Sequence, residues 1–277
     1  MDGANGQYFS RMTSSDIPSG NPDIVQTGGG TVRVDIGDGI GRIAFHHPKG
    51  NSLPGALLRS LADTVTRVSN DPAVRVLLLS SGGTGPFCAG ASFDELVAIQ
   101  SVAQGQEFFS GFSRVILAMI RSPKFVLTRV HGRAAGGAVG LIAASDLSFA
   151  VSTASAKLSE LAIGIGPFVV GPVIERKIGL SAFSAMAVDA DWRDASWGER
   201  HGLYARLFDD VSAMDTAIDA ELRKLAACNP DAMSQLKRVF WAGTESWESL
   251  LAERATMSGT MVLSEFTRAA IASFKGR

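Results

Sequence analysis

Two glycine-rich segments of the sequence could bring backbone N–H groups close to a small molecule. They span residues 82–91 (GGTGPFCAGA) and residues 131–140 (HGRAAGGAVG). Glycine and alanine let a ligand approach the main chain, which leaves the backbone N–H groups as donors. In the second segment Gly136 and Gly137 open a predicted helix, whose N-terminus combines unpaired N–H groups with a partial positive charge. Such groups can stabilise an oxyanion that develops during a reaction.

A third segment, residues 157–168 (KLSELAIGIGPF), contains a lone carboxylate, Glu160. The apolar residues that follow it predict a buried environment. Burial raises the pKa of a carboxyl group, which suits proton transfer near neutral pH. The alternative is that Glu160 forms an ion pair with Lys157 or Arg176.

The sequence gives less support to other kinds of chemistry. The glycine spacing fits neither GxGxxG nor the phosphate-binding loop with its lysine, and no GxSxG motif is present. No His or Lys stands beside Cys88 to lower the pKa of its thiol, so we interpret Cys88 as a small buried side chain. Cys88 and Cys228 lie far apart, and the four histidines form no recognisable ligand set. We therefore expect reduced cysteines and no metal.

The composition favours a small-molecule ligand. The chain has 277 residues, 46% of them hydrophobic, and its 26 basic residues balance 27 acidic ones. This balance does not favour nucleic acid or an anionic membrane as the main partner. No stretch approaches the roughly 18 to 20 apolar residues of a membrane span. The polar residues 1–30 lack the apolar core of a signal peptide, so we expect a flexible tail on a soluble, cytoplasmic protein.

The pattern of the remaining chain predicts an α/β fold with mostly parallel strands. Alternation on both sides of Asp38-Gly39 indicates a hairpin over residues 32–45, and a helix follows Pro54. Further strands are predicted at 74–80, 125–130 and 147–151, with helices between them at about 93–120 and from residue 136. Beyond residue 209 the spacing is helical only, over 211–227, 230–242 and 247–274. The aromatic residues and methionines of these last helices could pack within the chain or form a subunit interface.

Together the three segments resemble the crotonase (enoyl-CoA hydratase/isomerase) superfamily, over about residues 31–277. Residues 87–91 are similar to the first oxyanion loop of that family, and residues 132–137 to the second. In this resemblance the N–H groups of Ala89 and Gly137 hold the thioester oxygen, and Glu160 matches the later of two catalytic glutamates. The strings FCAGASFDEL and ELAIGIGPFV look most like a bacterial methylglutaconyl-CoA-hydratase-like branch.

The resemblance also implies architecture, ligands and assembly. It implies a catalytic core of ββα spiral units over residues 31–208, and a C-terminal helical layer over 209–277 that covers the active site and forms a trimer or hexamer. Coenzyme A is implied as part of the substrate, with no separate cofactor. The residues expected to bind the substrate are Ser52, Leu53, Cys88, Ala91, Gly136, Gly140, Pro167, Phe168, Phe274 and Lys275.

Gly140 stands where the two-glutamate hydratases of the family carry their earlier acid. One interpretation is that Glu160 acts alone as an isomerase base, and another is that Glu160 alone handles the water and its proton. In a third, the missing acid comes from Asp94, Glu95 or Glu107. The small residues 138–140 could instead leave room for a bulky acyl group. Ser92 also replaces a family Asp, which puts support of the first loop in question.

We expect the chain to be an enoyl-CoA hydratase that adds water to a 2-enoyl-CoA thioester. The first alternative is a Δ3,Δ2-enoyl-CoA isomerase with Glu160 as its sole acid and base. An alternative of another class is a non-catalytic relative that binds acyl-CoA or RNA.

Overall fold

A computed structural model describes residues 23–275, except for the side chains of residues 274 and 275. Strands and helices alternate through the first three quarters of this range. The strands are β1 Asp23–Thr27, β2 Gly30–Gly37, β3 Ile40–His46, β4 Val76–Ser81, β5 Phe125–Val130, β6 Ala134–Ala135, β7 Leu147–Val151, β8 Ser155–Lys157, β9 Arg193–Asp194 and β10 Arg206–Phe208. The helices are α1 Gly55–Asn70, α2 Phe93–Ala98, α3 Val102–Arg121, α4 Gly137–Ala143, α5 Gly171–Asp189, α6 Ala195–Arg200, α7 Val211–Ala226, α8 Pro230–Phe240, α9 Trp247–Met261 and α10 Glu265–Lys275, with a 3-10 turn at Leu161–Ile163.

The main sheet has seven strands in the order β1-β2-β3-β4-β5-β7-β10. The predicted hairpin is confirmed, because β2 and β3 pair antiparallel around Asp38-Gly39. Both turn residues have positive φ, 52° and 77°, which is what a two-residue hairpin turn requires. From β3 onward neighbouring strands are parallel, as the alternation of strands and helices predicts.

A second sheet of three short strands, β6-β8-β9, lies where the two glycine-rich segments meet the segment that contains Glu160. The pairing of β6 with β8 brings Ala135 beside Lys157, and a bridge between Cys88 and Ala134 adds the first glycine-rich segment. Two- and three-residue strands carry no usable periodicity, which is why the sequence did not predict them. This small sheet joins all three segments.

The N-terminal boundary predicted at residue 30 is wrong for the last part of the tail. Residues 23–27 form β1, an edge strand that pairs with β2 in register from Asp23↔Val34 to Thr27↔Gly30. Its side chains are mostly exposed, so no pattern of buried residues marks this strand in the sequence. Residues 1–22 of the predicted tail lie outside the described residues.

Two predicted helices are each divided in the structure. The helix expected over 93–120 is α2 and α3, because the Ser101 side chain accepts a hydrogen bond from the Gln104 N–H and starts a new helix. The helix expected over 247–274 is α9 and α10, and here the Ser264 hydroxyl accepts the Thr267 N–H. Both serines stand among apolar residues at helical spacing, so the pattern did not indicate that a new helix begins at each of them.

The C-terminal helices cover several parts of the fold. Asp215 on α7 pairs with the buried Arg129 of β5 at 2.5 Å. Trp241 and Trp247 are buried within the chain, whereas Phe266 on α10 is exposed. Intrachain packing therefore accounts for the two tryptophans. No helix among residues 23–275 has the length and apolar character needed to cross a bilayer.

Asp146 joins β5, α8 and the start of β7 through one buried carboxylate. It accepts hydrogen bonds from Lys237 Nζ at 2.8 Å and from the Val126 N–H at 2.7 Å, and both charged side chains are at least 95% buried. We expect Asp146→Ala to lower the free energy of unfolding by about 3 to 5 kcal/mol, because it leaves Lys237 buried without its counter-charge. Urea unfolding measures this loss.

The matched control for that prediction is Asp23→Ala, which breaks the exposed Arg67–Asp23 pair. Exposed pairs contribute at most about 1 kcal/mol, so the control is expected to change little. Equal losses in the two variants would contradict the structural role assigned to Asp146.

Candidate active site

A cavity of about 200 Å³ lies where the three segments meet. Its wall is mostly apolar and includes the N-terminus of α4, the loop before α2 and the stretch that follows Glu160. Of the residues predicted to act in chemistry or bind substrate, the cavity is lined by Ala89, Ala91, Gly136, Gly137, Glu160, Pro167 and Phe168. The fold thus brings together residues that are up to 79 positions apart in sequence, from Ala89 to Phe168.

The first glycine-rich segment is held in place by the segment before α1. The Leu53 N–H donates to the Gly90 carbonyl at 2.8 Å, and the Ser92 N–H donates to the Leu53 carbonyl at 3.3 Å. These two bonds form a parallel bridge between Leu53 and Ala91. The Ser92 hydroxyl accepts the Glu95 N–H and so begins α2. Ser92 therefore supports this loop although it is not the Asp of the family pattern.

The oxyanion role predicted for Ala89 is contradicted by its hydrogen bonding. The Ala89 N–H donates to the Gly50 carbonyl at 3.0 Å, so this amide already has an acceptor. By contrast, the N–H groups of Ala91 and Gly137 have no hydrogen-bond acceptor among residues 23–275, and both residues line the cavity. Ala91 and Gly137 can therefore each offer a backbone donor to a ligand in this cavity.

Two glycines at the N-terminus of α4 are required by close contacts. A Cβ on Gly137 would lie 2.2 Å from the ring of Phe112, so no side chain fits there. Gly136 has φ of 55°, and a Cβ on it would lie 3.2 Å from Oε1 of Glu160. The carboxyl group of Glu160 is thus close to the helix N-terminus that presents the Gly137 N–H.

The carboxyl group of Glu160 is enclosed although the residue as a whole is half-buried. Its Oε2 atom is buried and has no hydrogen-bond partner within the described part of the chain. Burial raises the pKa of Glu160 to about 7, against a smaller lowering by the backbone amides of Glu160 and Ser159. Arg176 instead donates to the carbonyls of Phe240 and Ala242. The structure therefore favours a proton-transfer role over the predicted alternative of an ion pair.

The expectation that Gly140 binds substrate or leaves room for it is wrong. A Cβ on Gly140 would lie 2.6 Å from Cγ1 of Val170, and Gly140 is not part of the cavity wall. Val170 fills this space and lines the cavity in its place. With Val170 in this place, an acidic side chain at position 140 would not fit.

The three other carboxylates considered as a second acid are engaged elsewhere. Asp94 pairs with Lys49, and Glu107 pairs with Arg114 at 2.5 Å. Glu95 accepts the Gly55 N–H at 2.7 Å, at the start of α1. None of these carboxylates lines the cavity, and among residues 23–275 Glu160 is the only acidic residue that does.

Three further residues predicted to bind substrate lie behind the cavity wall. Leu53 is fully buried, the Ser52 hydroxyl contacts Nδ1 of His47 at 3.1 Å, and neither lines the cavity. Burial raises the pKa of Cys88 to about 12, which agrees with its interpretation as a small buried side chain. The side chains of Phe274 and Lys275 lie outside the described residues.

Much of the apolar wall was not predicted from the sequence. Phe109 and Phe112 come from α3, Leu96 comes from α2, and Ile165 and Val170 follow Glu160. The apolar spacing of α3 predicts a buried face but not which part of that face borders a cavity. Among residues 23–275, no cluster of three or more His, Cys, Asp or Glu residues is placed to hold a metal ion.

Comparison with known proteins places the chain in a family. A sequence model of enoyl-CoA hydratase/isomerase matches residues 35–275. Carnitinyl-CoA dehydratase of Proteus mirabilis is 25% identical over 204 residues, which is 73% of this chain and 77% of the relative. Human mitochondrial methylglutaconyl-CoA hydratase is 29% identical over 199 residues, 70% of this chain and 58% of the relative.

Solved structures agree with this assignment. The crystal structure of enoyl-CoA hydratase from Bacillus halodurans superposes with a TM-score of 0.82 at 18% identity, over 87% of this chain and 99% of the other. Enoyl-CoA hydratase of Mycobacterium smegmatis gives a TM-score of 0.73 at 26% identity, over 88% and 96%. The chain therefore belongs to the enoyl-CoA hydratase/isomerase family and has the crotonase fold.

Proposed function

We propose that this protein interconverts a 2-enoyl-CoA and the corresponding 3-hydroxyacyl-CoA by adding or removing water. The observation that carries the proposal is a buried carboxyl group, Glu160, with a pKa of about 7 beside two backbone N–H donors. A carboxyl group with a pKa near the working pH can both accept and return a proton. The amides of Ala91 and Gly137 supply the donors that an enolate oxygen needs.

One carboxylate is sufficient for the proton balance of hydration. Glu160 removes a proton from water as the water oxygen bonds to the β-carbon of the ester. The electron pair of the double bond moves to the thioester oxygen, where the N–H groups of Ala91 and Gly137 stabilise it. Protonated Glu160 then returns its proton to the α-carbon. All atoms come from water, the ester and this chain, so we expect no separate cofactor, with coenzyme A as the carrier of the acyl group.

The relatives support the choice of water as the second reactant. One is named a carnitinyl-CoA dehydratase and another a methylglutaconyl-CoA hydratase, and these names describe removal and addition of water. The test is incubation of crotonyl-CoA with the purified protein in H₂¹⁸O. We expect 3-hydroxybutyryl-CoA that carries ¹⁸O at its hydroxyl group. The proposal would be refuted if neither crotonyl-CoA nor any of several other 2-enoyl-CoA esters gave its own 3-hydroxyacyl-CoA.

Isomerisation is the second candidate because the cavity wall holds a single acidic residue within the described part of the chain. In that reaction Glu160 would remove a proton from the α-carbon of a 3-enoyl-CoA and return it to the γ-carbon. Incubation with 3-hexenoyl-CoA separates the two functions. Formation of 2-hexenoyl-CoA without a 3-hydroxyacyl product would favour the isomerase.

The cavity wall indicates an uncharged acyl group. Apart from Glu160, the lining residues among the described part of the chain are apolar, glycine or serine, so a carboxylate on the acyl group would be buried there without a cation from residues 23–273. We expect kcat/KM for crotonyl-CoA to exceed that for 3-methylglutaconyl-CoA by at least about 100-fold, since burial of an unpaired polar group costs a few kcal/mol. Steady-state kinetics with both esters measure the ratio, and equal values would contradict it.

We also propose that the protein assembles as a trimer or hexamer. Support comes from large apolar side chains that a single chain leaves exposed, including Val188 on α5, Val239 on α8 and Phe266 on α10. Exposed apolar residues of this kind are common at subunit contacts. Light scattering during gel filtration determines the number of subunits.

A further inference from the structure

Asn51 lies outside the cavity, yet its side chain is hydrogen-bonded to three parts of the backbone around the first glycine-rich segment. Its Oδ1 accepts the His47 N–H at 3.0 Å. Its Nδ2 donates to the Gly82 carbonyl at 2.8 Å and to the Pro86 carbonyl at 3.0 Å. The residue is 97% buried. It therefore uses both ends of its amide on main-chain groups.

The segment that Asn51 holds has little stiffness of its own. Residues 82–86 (GGTGP) contain three glycines, and a Cβ on Gly83 or Gly85 would meet no atom within 4 Å. Glycine loses more conformational freedom on ordering than any other residue. Asn51 fixes both ends of this stretch, at Gly82 and at Pro86, so it determines where the following residues 87–91 begin.

The backbone conformation of Gly50 and Asn51 also orders the amides of residues 89–91. Asn51 has φ of 57° and Gly50 has φ of 60°, a conformation that asparagine and glycine tolerate best. In this conformation the Gly50 carbonyl accepts the Ala89 N–H, and Leu53 binds the backbone on both sides of Ala91. Residues 50–53 thus hold Ala89 by its N–H and leave the N–H of Ala91 to the cavity.

From these contacts we propose that Asn51 is a positioning residue of the oxyanion site, which acts by holding the Ala91 N–H toward the thioester oxygen. This inference rests on the proposed function. Asparagine is suited to the task because the site needs a donor, an acceptor and a positive φ in one residue. Aspartate lacks the donor, and glycine lacks the side chain.

The kinetic test compares Asn51→Gly and Asn51→Asp with the native protein on crotonyl-CoA. Asn51→Gly keeps the positive φ and removes all three side-chain bonds, whereas Asn51→Asp turns a carboxylate oxygen toward two carbonyl oxygens. We expect kcat to fall by about 10- to 100-fold in both, less than the loss of a whole oxyanion donor, with KM within about threefold. Asp38→Gly, at the exposed hairpin turn with φ of 52°, is the matched control and is expected to keep kcat.

A spectroscopic readout separates positioning from a general loss of folded protein. Crotonyl-CoA with a ¹³C-labelled carbonyl is bound to Glu160→Gln and to Glu160→Gln/Asn51→Gly, and the C=O stretch is recorded by infrared difference spectroscopy. Hydrogen bonds from both amides lower this frequency. We expect at least half of the lowering to disappear in the double variant, while circular dichroism of both proteins stays the same.

The outcomes distinguish a failure of the role proposed for Asn51 from a failure of the proposed function on which it rests. If Glu160→Gln lowers the C=O frequency and the double variant lowers it equally, Asn51 does not position the donor and the inference is overturned. If Glu160→Gln itself leaves the frequency at its value in water, the oxyanion site and the proposed function fail together. If the double variant does not fold, Asn51→Asp in the Glu160→Gln background takes its place under the same criteria.

Discussion

Replacing Glu160 with glutamine is expected to lower kcat on crotonyl-CoA by about 10² to 10⁴-fold while it stabilises the fold. The loss of activity follows because an amide cannot take the proton from water. The gain in stability follows because a neutral side chain suits an enclosed site whose carboxyl oxygen has no hydrogen-bond partner within residues 23–275. Initial rates and thermal unfolding at pH 8 measure the two effects.

The pH dependence of both effects follows from the raised pKa. The pKa of Glu160 is about 7 in the folded protein against an ordinary value of 4.5 for a glutamate side chain, so the folded state holds its proton more tightly than the unfolded state. The stabilisation from this group is therefore complete below pH 4.5 and is lost as the pH rises to 7. At pH 8 we expect Glu160→Gln to exceed the native protein by up to about 3 kcal/mol in the free energy of unfolding.

At pH 4 the difference in unfolding free energy between these two proteins should vanish. The activity of the native protein should show the opposite trend, because the reactive form is the carboxylate. We expect kcat/KM to fall about tenfold for each pH unit below 7. Glu107→Gln is the matched control, since Glu107 is exposed and paired with Arg114. A similar loss of activity in that variant would contradict the assignment of Glu160 as the sole acid and base.

Removal of the Ala91 N–H alone is expected to lower kcat by about 10² to 10³-fold, the usual effect of losing one oxyanion donor. The direct way to do this is to replace Ala91 with lactic acid during translation, which exchanges the N–H for an ester oxygen and leaves the methyl side chain unchanged. The Ala91 N–H donates to no other described group, so the exchange should destabilise the fold only through the Gly90 carbonyl, which as an ester is a weaker acceptor for the Leu53 N–H.

The same exchange at Ala89 is the control, and it should behave in the opposite way. The Ala89 N–H donates to the Gly50 carbonyl at 3.0 Å, so its loss should destabilise the fold by about 1 kcal/mol. Activity of the folded fraction should change far less than in the variant at Ala91. A larger loss of kcat at Ala89 than at Ala91 would contradict this assignment. It would favour the Ala89 N–H, which the family resemblance first indicated, as the oxyanion donor.

The sequence predicted those elements whose signal is local. The predicted bounds of β5 and β7 agree with the structure, and the hairpin follows from Asp38-Gly39. Residues distant in sequence decide the features that it missed. Val170 fills the space next to Gly140, and Phe112 closes the space next to Gly137. Neither contact can be read from the composition of the glycine-rich segments.

The difference between Ala89 and Ala91 likewise depends on contacts with residues that are distant in sequence. Both residues belong to one small-residue string, and both line the cavity. Which amide is available to a ligand depends on Gly50 and Leu53, which lie some forty residues earlier and take the neighbouring hydrogen bonds. The burial of the Glu160 carboxyl group agrees with the prediction, but its cause does not, because Leu161 and Ala162, which follow it directly, are exposed and the carboxyl group lies close to Gly136.

A crystal structure of Glu160→Gln with bound crotonyl-CoA would show directly where the thioester lies. We predict that the thioester oxygen lies about 3 Å from the backbone nitrogen atoms of both Ala91 and Gly137. The side chain at position 160 should face the α- and β-carbons of the acyl group. A thioester oxygen that lies outside this cavity, or that contacts neither nitrogen, would contradict the proposed chemistry.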